Sequence, residues 1–169
     1  GGEGYRADGN IWWFIGTYLI YGQWKQVIQA GIKHLAAAYV VTGERAYAHK
    51  AIVLLDRVAD LYPTFDFKEE GVMYEGPGAR GYVSTWHDAC EETREMALAF
   101  DQVKSAIPGD QELVRFLSTK AREHGLENSK ATPEEIRRNI EDGILRDPIE
   151  NSGKISTNYP RREIALIIL

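Results

Sequence analysis

The fold is decided by residues 24–63, WKQVIQAGIKHLAAAYVVTGERAYAHKAIVLLDRVADLYP. Apolar side chains recur there at spacings of three and four, which places them on one face of a helix. They form two sets: Ile28, Ile32, Leu35 and Tyr39, then Ala48, Ile52, Leu55, Ala59 and Tyr62. Gly43 between the sets suits the left-handed residue that ends a helix, and Pro63 ends the second helix. The stretch therefore predicts two helices joined by a tight turn, an αα-hairpin.

The rest of the chain continues this pattern. Helices are predicted for residues 11–22, 85–107, 111–124, 132–145 and 158–169, and connections for residues 1–10, 64–84 and 146–157. Helical pairs separated by breaks are typical of stacked αα-hairpins. We therefore expect an all-α fold.

Length, charge and composition narrow the class of protein. A chain of 169 residues can form one domain with its own core, so we expect residues 1–169 to be a single helical domain. The net charge of −5 disfavours a nucleic-acid partner, which requires a basic surface. No run approaches the roughly 20 apolar residues of a membrane span, so no membrane partner is expected. Cys90 is the one cysteine and excludes an internal disulfide.

Both ends of the sequence resemble segments from within a longer polypeptide. It starts in a glycine-rich segment, which lacks the basic stretch followed by an apolar stretch that is typical of a signal peptide. It stops in the apolar run 164–169, which needs neighbours on several sides. We expect a piece of a larger chain, whose missing remainder would be a partner of this one.

Three segments, in this order, carry a resemblance to a known family. They are AAAYVVTGERAYAHKAIVLLDRVADLYP at 36–63, GYVSTWHDACEETREMALAFD at 81–101 and STNYPRREIAL at 156–166. Together they resemble the heparinase II/III-like polysaccharide lyases. The resemblance implies an incomplete (α/α) toroid, normally followed by a β-sandwich domain, in a secreted or periplasmic protein. It also implies β-elimination on an anionic polysaccharide or oligosaccharide that contains uronic acid, without metal or nucleotide.

Three residues are candidates for catalysis, two from the resemblance and one from its place in the chain. Asn158 matches an asparagine that faces the substrate cleft in such lyases, and Tyr159 follows it where many members have histidine. As the carboxylate beside C5 gains charge, an amide can stabilise it by hydrogen bonding. Tyrosine and histidine suit the proton transfers, and His87 is the histidine at a loop–helix junction beside an aromatic residue. The structural alternative for Asn158 is that it caps the last helix.

Six residues are candidates for contact with the sugar. Aromatic rings can stack on sugar faces, and arginine binds carboxylates or sulfates in bidentate fashion. The candidates are Trp13, Arg80, Tyr82, Trp86, Arg161 and Arg162. Arg80, Arg161 and Arg162, with Lys154, would form a local basic strip in this acidic chain. The alternatives are core packing for the aromatic rings and solvated surface for the arginines.

Two other functions fit the same sequence. A glycoside hydrolase on the same toroid needs two carboxylates across a cleft, for which Asp8, Glu75 and Asp88 are available. A non-catalytic helical module that binds carbohydrate or protein is the other, although the long connections disfavour it. No second histidine stands at helical spacing from His87, so no metal site is predicted.

Overall fold

The computed structural model describes residues 5–12, 22–65, 86–155 and 158–169, with the backbone alone for residues 86–88. Within these ranges the chain is helical except for one short β-hairpin, which confirms the predicted all-α class. None of the described helices combines the length and the apolar character that a bilayer span requires. The described His, Cys, Asp and Glu side chains form no group arranged to hold a metal ion.

The described elements follow in chain order. They are β1 (Tyr5–Ala7), β2 (Asn10–Trp12), α1 (Ala30–Thr42), α2 (Arg45–Leu61), α3 (Trp86–Val103), α4 (Gln111–Glu123), α5 (Pro133–Ile140), α6 (Asp147–Glu150) and α7 (Arg161–Ile168). Two segments are π-helical: Trp24–Gln29 precedes α1, and Glu141–Arg146 joins α5 to α6. Shorter 3₁₀ turns lie at Tyr62–Thr64, Lys104–Gly109 and Ser152–Ile155.

The predicted αα-hairpin is confirmed as α1 and α2. Gly43 ends α1 with a φ of 72°, and its N–H donates to the carbonyl of Tyr39 at 2.8 Å. A side chain in that left-handed conformation would be strained, which is why glycine stands there. Ile32 and Ala36 on α1 and Ile52 on α2 are fully buried in the core. Helix α3 packs against both α1 and α2, and α7 packs against α3.

The prediction for the N-terminal region was wrong where the structure describes it. Residues 5–12 form a β-hairpin in which Tyr5 pairs with Trp12, rather than a loop that leads into a helix. Asp8 and Gly9 form its two-residue turn with φ angles of 52° and 77°. Asp-Gly favours this turn because both positions need a positive φ, and the turn's twist matches that of the paired strands.

The polar connection predicted at 146–157 was also wrong in its first half. The backbone continues from α5 through the π-helical segment into α6, which ends at Glu150. Ile140, Ile144 and Pro148 recur every four residues and are all buried. That apolar face holds the segment against α2, and Pro148 lies in the first turn of α6. A proline is tolerated there because its missing N–H is not needed.

Candidate functional site

The two residues predicted from the family resemblance lie together at the start of α7. Asn158 and Tyr159 are both exposed, and 84% of the Tyr159 surface is open to solvent. Pro160 holds the N-cap position, so the predicted capping role of Asn158 is wrong. Asn158 supports the helix through its backbone carbonyl, which accepts from the N–H of Arg161 at 3.1 Å.

An ion pair lies where the start of α7 packs beside the start of α3. Arg161 Nη1 lies 3.5 Å from Glu91 Oε1, and both side chains are about half exposed. Position 87 lies four residues before Glu91, or about one helical turn away on the same side of α3. Helix packing therefore brings the Asn158–Tyr159 segment close to the helical turn that contains position 87.

Glu91 also lines a cleft between α3 and the chain from the first π-helical segment into α1. The cleft has a volume of about 280 Å³. Charged side chains dominate its walls, which are formed by Lys25, Gln29, Ala30, Lys33, His34, Glu91, Glu92, Arg94, Glu95 and Met96. We take this cleft and the adjoining start of α7 as the candidate functional site.

Cations and acids are balanced within the cleft. Glu95 lies between two cations: Lys33 Nζ is 2.9 Å from Oε2, and Arg94 Nη2 is 2.9 Å from Oε1. Burial favours the neutral form of Glu95, but the hydrogen bonds and charges of Lys33 and Arg94 outweigh that effect. They hold the pKa of Glu95 below its ordinary value. The carboxylate therefore stays ionised and offsets the positive charge of both cations.

A second acid forms the floor of the cleft. Glu92 is only 4% exposed, and its Oε2 accepts a hydrogen bond from the indole Nε1–H of Trp24 at 3.2 Å. The Trp24 ring meets Phe65 edge to face at a centroid distance of 5.8 Å, and Phe65 meets Tyr62 at 5.7 Å. The Tyr62 hydroxyl in turn bonds to that of Thr93. An aromatic cluster, Trp24, Phe65 and Tyr62, thus supports the floor of the cleft.

Burial also controls the chemistry of this cluster. It raises the pKa of the Tyr62 phenol above its ordinary value, and the hydrogen bond with Thr93 only partly opposes that effect. Tyr62 therefore stays neutral at neutral pH, buried within the aromatic cluster.

The structure brings some of the predicted site residues together. Asn158, Tyr159, Arg161 and Arg162 share the start of α7. Arg162 pairs with its neighbour Glu163, with Nη2 at 3.0 Å from Oε1. Trp86 and His87 open α3, but their side chains lie outside the described residues. Trp13, Arg80 and Tyr82 lie outside them altogether.

Lys154, one of the four cations that a basic strip would require, is engaged within the protein. Its ammonium donates to the carbonyl of Pro63 at 2.6 Å and to Asp147 Oδ2 at 2.8 Å. The first bond ties the 3₁₀ turn after α6 to the 3₁₀ turn that follows α2, and the second ties it to the start of α6. Lys154 is therefore a structural residue whose charge is used within the protein.

Sequence reasoning missed the residues that form the cleft. Lys33, Glu92 and Glu95 lie in amphipathic helices whose polar positions look like ordinary solvated surface. On sequence alone, Trp24 indicates no more than the start of the hairpin. No local signal distinguished the acids, because Glu91, Glu92 and Glu95 fall on one side of α3, as the acids of a solvated helix face also do.

Comparison with models of known protein families found none that matches this chain, and comparisons with curated proteins and with solved structures also found no match.

Proposed function

We propose that this chain is the helical part of a polysaccharide lyase, built as an incomplete (α/α) toroid, that cleaves a uronic-acid-containing anionic glycan by β-elimination. The observation that supports this best is the Arg161–Glu91 ion pair at 3.5 Å. It sets the exposed Asn158–Tyr159 segment beside the start of α3, where His87 lies, and beside a charged cleft. A protein of this kind would be secreted or periplasmic.

The proposed reaction assigns a role to each of these residues. The Asn158 amide donates a hydrogen bond to the substrate carboxylate and stabilises the charge that develops when the C5–H bond breaks. Tyr159 and His87 are the proton-transfer groups: one takes the C5 proton, and the other protonates O4 as the C4–O bond breaks. A C4–C5 double bond forms, and the two shorter sugar chains leave. Arg161 and Arg162 bind further acidic groups of the glycan.

Ultraviolet absorbance of the unsaturated product tests this proposal. The chain, and any longer chain that contains it, is assayed on a panel of uronate polysaccharides. We expect absorbance to rise with at least one of them and to fall at least about 100-fold in Asn158→Ala. Asn151→Ala is the matched control, because Asn151 is an exposed asparagine whose side-chain amide donates to Asp147 within its own turn. New reducing ends without absorbance would contradict the proposal and indicate a hydrolase.

A further inference from the structure

Glu95 holds a position in the cleft that a ligand carboxylate could also occupy. Its two oxygens are each 2.9 Å from a different cation, Lys33 of α1 and Arg94 of α3. Lys33 comes from α1, which packs on α3, and Arg94 is the neighbour of Glu95 on α3, so two helices each supply one cation. Hydrogen bonds of this kind, between ionised partners, are the strong ones. The pair of cations is therefore a preformed site for a planar group with two anionic oxygens.

The ion pairs of Glu95 are of a kind that can be exchanged. Lys33 is 48% exposed, Arg94 is 31% exposed and Glu95 is 30% exposed at the side chain. Partly exposed ion pairs contribute little net stability, because water solvates the separated charges well. Glu95 also reaches its partners through a flexible side chain, so it can turn away without a change in the backbone of α3.

We propose that Lys33 and Arg94 form a carboxylate subsite for one uronate residue of an anionic sugar chain, and that Glu95 competes with the ligand for it. The choice of uronate rests on the proposed function. The geometry favours a carboxylate because Glu95, itself a carboxylate, already spans both cations with one oxygen on each. The ligand turns Glu95 out of the subsite and takes over both hydrogen bonds.

If Glu95 competes with the ligand, then replacing Glu95 by a neutral residue should strengthen ligand binding. The gain should exceed that from removing one negative charge elsewhere on the protein. The probe is a short oligogalacturonate, measured by isothermal titration calorimetry on the whole chain. We expect Glu95→Gln to bind it about five-fold more tightly than the unchanged protein, as the loss of a competing surface ion pair implies. Lys33→Met in the Glu95→Gln background removes the gain.

Two controls separate the subsite from a general charge effect. Glu112→Gln makes the same charge change on the exposed first turn of α4. The same oligosaccharide with its carboxyls reduced to alcohols lacks the group that the subsite binds. Equal affinities for Glu95→Gln and Glu112→Gln, or an equal gain with the reduced sugar, would overturn the subsite. A cooperative thermal unfolding transition for each variant shows that the variant is folded. Glu95→Ala repeats the binding measurement with a different replacement for Glu95.

The outcome is independent of the lyase assay. A gain in binding without unsaturated product from any glycan would support the subsite and contradict the proposed function. Unsaturated product together with equal affinities for the two Gln variants would support the proposed function and overturn the subsite.

Discussion

Lys130 and Asp56 form an ion pair inside the protein: Nζ lies 2.6 Å from Oδ2, and the side chains are 2% and 1% exposed. Asp60 shares the same ammonium at 2.7 Å, and the amide of Asn139 donates to both acids at 2.9 Å. Burial raises the pKa of Asp56, although the hydrogen bond from Lys130 opposes that effect. This polar cluster ties α5 and the segment before it to the C-terminal part of α2.

Replacement of Lys130 by methionine should destabilise the protein strongly. The two carboxylates would stay buried without their cation, and a broken buried pair costs about 3–5 kcal/mol. Lys120→Met is the matched control, since Lys120 pairs with Glu123 at 2.8 Å with both side chains about half exposed. Its loss should cost at most about 1 kcal/mol. Urea unfolding of both variants measures the difference, and similar losses would show that the buried cluster contributes no special stability.

Gly143 should tolerate no side chain. A Cβ there would lie 2.4 Å from the backbone oxygen of Ala59 and 2.9 Å from its Cα, so the π-helical segment would have to move away from α2. Overpacking of this kind costs about 1–3 kcal/mol. Gly153→Ala is the control, because nothing lies within 4 Å of its added Cβ. Unfolding midpoints of the two variants are compared, and an unchanged midpoint for Gly143→Ala would contradict the close packing.

The sequence predicted those parts of the fold that local chemistry decides. Gly43 ends α1, and Thr132 caps α5 by accepting from the N–H of Glu135 at 3.1 Å, both as their residue types indicate. Asp8-Gly9 is an equally clear local signal, for a hairpin turn, but the aromatic residues that follow it favour a helix on sequence alone. The helical course of residues 147–150 depends on burial of Pro148 against the rest of the protein, and no local signal reports that contact.

The cleft could not be predicted, because its residues come from different helices. Lys33 and Glu95 are 62 positions apart and meet only when α1 packs on α3. Trp24 and Glu92 are 68 positions apart. Helical periodicity tells which face of a helix is polar, but not which polar residue of another helix it faces. The resemblance supplied Asn158 and Tyr159, which the sequence pattern alone would not have singled out.

Trp24→Phe should weaken the floor of the cleft while it keeps the aromatic contact with Phe65. The change removes the N–H that Glu92 accepts from at 3.2 Å. When a buried carboxylate loses a hydrogen-bond donor, the free energy of unfolding falls by about 1–3 kcal/mol. A double-mutant cycle with Glu92→Leu isolates the contribution of the Trp24–Glu92 hydrogen bond to stability, because in that background the indole N–H has no carboxylate to bind. Equal losses for Trp24→Phe in both backgrounds, measured by urea unfolding, would show that the hydrogen bond contributes nothing.

The ion pairs of Glu95 should make stability depend on pH in a defined range. Its pKa is lower in the folded protein than the ordinary value of 4.5, because Lys33 and Arg94 outweigh the effect of burial. The unfolded chain therefore takes up the proton first as the pH falls. The stabilisation is fully present above pH 4.5 and is lost as the pH falls from there through the lowered pKa of the folded protein. We expect about 1 kcal/mol for the two pairs together, a small value because the pairs are partly exposed.

The unfolding free energy of the unchanged protein and of Glu95→Gln is measured in urea at several pH values between neutrality and about pH 3. The unchanged protein should be the more stable at neutral pH, and the difference should narrow once the pH drops below the ordinary carboxyl range. Glu112→Gln makes the same charge change away from Lys33 and Arg94, so it reports the general effect of charge. A difference for Glu95→Gln that stays constant across this range would mean that Glu95 gains no stability from its two cations, and the competition proposed for the cleft would then lose its energetic basis.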